Sequence, residues 1–116
     1  MTTITPEEFV LFSSQFEDNQ DLQESLETLE ENLKDCDWVL EDATELILVK
    51  AKEPSVQGDS LFEKLRKHIC EPETRKKWDS FKELVKIVEH LLPFPGPLVV
   101  VSLLKLWKIG LNNICE

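Results

Sequence analysis

The sequence predicts a single all-α bundle of about five helices. Three observations predict it. Apolar side chains recur at spacings of three and four over most of the chain. Helix-start signals precede several of those stretches, and glycine is scarce, with three in 116 residues. A chain of this length builds one core, so residues 1–116 are read as one helical domain, or as the N-terminal module of a longer protein.

The first helix is announced by Thr5-Pro6-Glu7-Glu8. Threonine is a good N-cap, proline suits the first helical position, and Glu8 completes a Thr-x-x-Glu capping box. Ile4 and Phe9 are placed as a hydrophobic staple. Phe9, Phe12 and Phe16 then share one face of a helix running from Pro6 to about Phe16. The second helix has the longest periodic pattern: Leu22, Leu26, Leu29, Leu33, Cys36, Leu40, Ala43 and Ile47 alternate in steps of four and three. Asp37 is a candidate cap for a new helix. The register nonetheless crosses it without a slip, so one long helix to about Lys52 is expected.

Residues 53–59 are a loop by composition. Ser60 and Glu63 form a second capping box, before a short third helix with Leu61, Phe62, Leu65 and Ile69 on its apolar side. Pro72 ends it or opens the next. The fourth helix is expected from about Glu73 to Leu92, with Trp78, Phe81, Val85 and Val88 on its stripe. Pro93, Pro95 and Pro97 make a stiff connector. The apolar segment Leu98–Leu111 reads as a fifth helix, because a lone strand would have no partner.

Charge is unevenly divided. Residues 1–53 hold fifteen Asp and Glu against three Lys, a balance of −12, and residues 54–116 hold eight against ten basic residues, a balance of +2. An acidic half repels nucleic acid and anionic membranes. The basic cluster Arg66, Lys67, Arg75, Lys76 and Lys77 is too small for a nucleic-acid footprint. The cluster is expected to pair with the acidic second helix, within the chain or across a contact.

No motif for catalysis, metal or cofactor binding is present. His68 and His90 lack metal spacing, no Glu precedes a His by three, and the glycines at 58, 96 and 110 cannot form a phosphate loop. The chain is therefore read as a non-enzyme without cofactor, metal or small-molecule substrate. Cys36, Cys70 and Cys115 are odd in number and widely spaced, and the N-terminus lacks a signal-peptide pattern, so reduced thiols and a cytoplasmic setting are expected.

The functional expectation is a protein–protein interaction module, an adaptor or assembly domain using opposed acidic and basic faces. Its partner is another protein or a second copy of itself. Its contact residues are expected to be Glu27, Glu30, Glu31, Trp38, Arg75, Lys76 and Lys77. A second reading is a membrane-active helix docking through Leu103, Lys105, Trp107 and Lys108, although the 98–111 segment is too short to span a bilayer. A third is a small acidic inhibitor or immunity-type protein.

Overall fold

The computed structural model describes residues 2–50, 58–91 and 96–115. The expected loop at 53–57, the side chains of 58–61 and 91, and the expected connector at 92–95 lie outside the described residues. Seven α-helices and no strand occur among the described residues: α1 (Pro6–Ser13), α2 (Gln23–Asp35), α3 (Leu40–Lys50), α4 (Gly58–Ile69), α5 (Pro72–Arg75), α6 (Phe81–Leu91) and α7 (Gly96–Ile109). All-α architecture is as expected, but five helices become seven because two of the expected rods are broken.

The first helix follows its sequence signals. The Thr5 hydroxyl accepts from the Glu8 N–H at 3.1 Å, and the Glu8 carboxylate accepts from the Thr5 N–H at 3.0 Å. These bonds satisfy donors that a helix start leaves open. Phe9, Phe12 and Phe16 are all buried, the last in a 3₁₀ turn at Ser14–Phe16. Phe12 is the hub of an aromatic cluster, with centroids 4.9 Å from Phe16, 6.1 Å from Phe81 and 5.8 Å from Trp107.

The single long second helix is the clearest correction. The chain turns back between Asp35 and Leu40, with Asp37 at φ 55° and Trp38 at φ 63°. The Trp38 N–H donates to the Leu33 carbonyl at 2.7 Å, the six-to-one bond of a Schellman-type helix end. The N-terminal residues lock the corner. Ile4 N–H donates to Trp38 O at 2.9 Å, and Leu40 N–H donates to Thr2 O at 2.8 Å. The apolar stripe hid this break because both arms of the hairpin bury that stripe, and the corner happens to span one step of the pattern.

The expected fourth helix is also divided. Pro72–Arg75 forms one short helix, and α6 starts only at Phe81. Ser80 accepts from the Glu83 N–H at 3.3 Å, while Glu83 accepts from the Asp79 N–H at 3.2 Å. Trp78 lies in the gap, 1% exposed, and its indole N–H donates to the Ile69 carbonyl at 3.0 Å. That bond satisfies a carbonyl at the end of α4. Ser60 lies inside α4 rather than before it, and Pro97 lies in the first turn of α7 rather than in a connector.

The last helix occupies the centre of the bundle. Every residue from Leu98 to Leu104 is buried, as is Leu106. A helix apolar all round needs neighbours on all sides, and α2, α3 and α6 supply them. The buried Ser102 hydroxyl is satisfied by the Leu98 carbonyl at 3.0 Å. Gly96 gives α7 its close approach to α2: a Cβ there would stand 2.0 Å from Ser25 Oγ. The helix ends at Ile109, two residues before the expected end at Leu111, and Gly110 follows it at φ 93°. Beyond Gly110 the chain folds back and buries Ile114 completely.

Candidate interaction faces

The acidic residues of the first half occupy the outer sides of α2 and α3. Glu24, Glu27, Glu31, Asp35, Asp42 and Glu45 are exposed. Glu30 is partly exposed and pairs with Lys34 at 3.7 Å, one helical turn away. The expected internal pairing of this face with the basic cluster is not seen at Lys76 or Lys77 among the described residues. None of Glu24, Glu27 and Glu31 makes an ion pair with either lysine among those residues.

The basic residues lie on α4, α5 and the turn after it. Lys76 and Lys77 are exposed, as expected of contact residues. Arg75 makes contacts within the fold. Its guanidinium lies 3.9 Å from the centroid of the Trp78 ring, and its Nη1 donates to the Trp78 carbonyl at 2.7 Å. Trp38 is also drawn inward: it is half-buried, packs against the core, and meets Phe9 edge-on at 6.2 Å. The expected contact residues thus separate into exposed charges (Glu27, Glu31, Lys76, Lys77) and groups that carry structural contacts (Trp38, Arg75).

The C-terminal residues expected to dock a membrane or partner are largely engaged within the fold. Leu103 is fully buried. The Lys105 ammonium sits 4.5 Å from the centroid of the Phe62 ring, and Trp107 is half-buried against Phe12. Lys108 is ion-paired with Glu8 of α1. That lysine, with the Thr5 backbone N–H, holds the Glu8 carboxyl below its ordinary pKa. No helix among the described residues is long and apolar enough to cross a membrane.

Reduced thiols at all three positions were expected, and two are corrected. Cys70, after α4, is joined to Cys115 in a disulfide with Cα atoms 5.5 Å apart. A separation of 45 residues says nothing about proximity, because α7 and the final turn return the chain to α4. Cys36 is the free cysteine. Burial, followed by Asp42, Asp35 and Asp37, pushes its thiol pKa up, which favours the protonated thiol at neutral pH.

Two surface features had no clear signal in the sequence. One is an open groove of about 470 Å³ beside the disulfide, lined by Glu63, Lys64, Arg66, Lys67, Cys70 and Cys115. The other is a trio of exposed apolar residues, Val10 and Leu11 on α1 and Val49 on α3. Among the described residues no group of His, Cys, Asp and Glu is arranged to hold a metal ion. Compared with known proteins, the chain matches no family model, no curated protein and no solved structure.

Proposed function

We propose that this chain is a protein–protein interaction module that assembles through its opposed acidic and basic faces. One observation carries the reading: the exposed carboxylates of α2 are left without compensation from the exposed lysines after α5. The chain carries both members of a complementary pair on separate elements, so the partner its chemistry most directly supplies is a second copy in a head-to-tail contact. Glu27 and Glu31 of one copy meet Lys76 and Lys77 of the next. Burial of α7 supports this over docking of that helix on a membrane, which would require opening the core.

Light scattering over a concentration series at low and high salt tests the proposal. Association should appear at low salt and weaken as salt screens the contact. The double variants E27K/E31K and K76E/K77E should each stay monomeric alone, and a mixture of the two should associate. Monomeric wild-type protein at low salt and high concentration would overturn the proposal, as would association unchanged by either charge reversal.

A further inference from the structure

We infer that the groove beside Cys70–Cys115 is a thiol–disulfide exchange site for anionic low-molecular-weight thiols, of which glutathione is the representative. Three features of the groove converge. Its wall includes a disulfide whose Cys115 end is exposed and whose Cys70 end is half-buried. Among the described residues, three cations, Lys64, Arg66 and Lys67, line it with one carboxylate, Glu63. The turn carrying Cys115 is held to α4 by the disulfide itself and by Arg66, whose Nε donates to the Ile114 carbonyl at 2.5 Å.

The chemistry follows from these positions. Disulfide exchange begins with attack by a thiolate along an open path to sulfur. Cys115, exposed and part of the groove wall, provides that path. The attacking thiolate forms a new S–S bond to Cys115 as the Cys70–Cys115 bond breaks, and Cys70 leaves as a thiolate bordered by the groove's cations. A second thiol molecule, as its thiolate, then attacks the incoming sulfur of the mixed disulfide. This releases the small-molecule disulfide and the Cys115 thiolate. Two thiols are oxidised, the protein disulfide gains two electrons, and the two protons lost by the thiols are available to the cysteines through solvent. The product is a C-terminal turn no longer covalently tied to α4.

Charge makes the inference discriminating. The whole chain carries −10, so long-range attraction favours a cationic thiol over an anionic one. At physiological ionic strength fields are screened over about 8 Å, so a reagent inside the groove responds chiefly to the cations lining it. A site built as inferred therefore reverses the preference expected from net charge.

The test uses the air-oxidised full chain. Reduction of its disulfide is followed by mass spectrometry with glutathione, uncharged 2-mercaptoethanol and cationic cysteamine, each rate expressed per thiolate. Glutathione should be the fastest. Its rate should fall by about tenfold in K64E/K67E or in high salt, while the 2-mercaptoethanol rate stays the same. The trapped mixed disulfide should sit on Cys115. A cysteamine rate equal to or above that of glutathione, insensitivity to the lysine reversals, an adduct on Cys70, or free thiols at Cys70 and Cys115 after oxidation would each overturn the inference.

Discussion

At the scale of single residues, several side chains serve two neighbours at once. Glu8 closes the capping box of α1 and also binds Lys108 of α7, so one carboxylate fixes a helix start and ties the first helix to the last. Its pKa is lowered in the folded chain, first by Lys108 and then by the Thr5 backbone. The contribution of that depression is therefore complete above the ordinary carboxylate pKa and is lost as pH falls through the folded value. In Glu8→Gln the amide oxygen still accepts from Thr5, but the charge is gone. Urea unfolding should show the variant less stable by about 0.5 kcal/mol at pH 7, with a smaller gap at acid pH, where Glu8 takes up its proton. A gap of equal size at both pH values would assign the effect to packing. Residue identity made the capping box legible in the sequence. The Lys108 pairing was not, because residues a hundred positions apart meet only through the path of the chain. Arg75 shows the same limit: its charge suggested a partner outside the fold, while the indole three residues on takes its guanidinium.

At the scale of elements, spacing identified which stretches are helical and which sides are apolar, but not where rods end. The stripe from Leu22 to Ile47 is buried along its apolar positions, except that Cys36 is only half-buried, in the corner. A corner that preserves the register leaves no trace in hydrophobicity. Its trace lies in backbone sign, with two consecutive non-glycine residues at positive φ, which Asp accepts more readily than Trp. The α5–α6 break did leave a legible mark, the Ser80-x-x-Glu83 box, masked by an apolar stripe running past it. Close approach between elements has its own signature at Gly96 on α7 and Ser25 on α2. Gly96→Ala should destabilise the protein by about 1–3 kcal/mol through overpacking. Ser25→Ala in that background should recover part of the loss, because it removes the atom nearest the new methyl group. A double-mutant cycle measures the coupling, and strictly additive effects would show that the two helices give way independently.

At the scale of the whole molecule, the radius of gyration is 13.3 Å, close to the roughly 13 Å of a well-packed chain of this length. Non-local closure of the chain was the part hidden from sequence. The disulfide, the groove beside it and the separation of the charged faces all depend on how α7 is placed. Charge composition, by contrast, was readable directly: the fifteen acidic residues of the first 53 are mostly on the outside, where solvation is cheapest. Closing a loop of 45 residues restricts the unfolded chain, so reduction should lower stability by about 4 kcal/mol. The urea midpoint with and without reductant measures this, and Cys70→Ser/Cys115→Ser should lose the sensitivity to reductant. The central position of α7 also bears on how the protein is made. Synthesis runs from the N-terminus, so the other six helices leave the ribosome before the rod around which they pack. Until residues 96–109 emerge, the inner walls of α2, α3 and α6 face an empty axis, and the nascent chain must be kept from sticking to its neighbours through those walls.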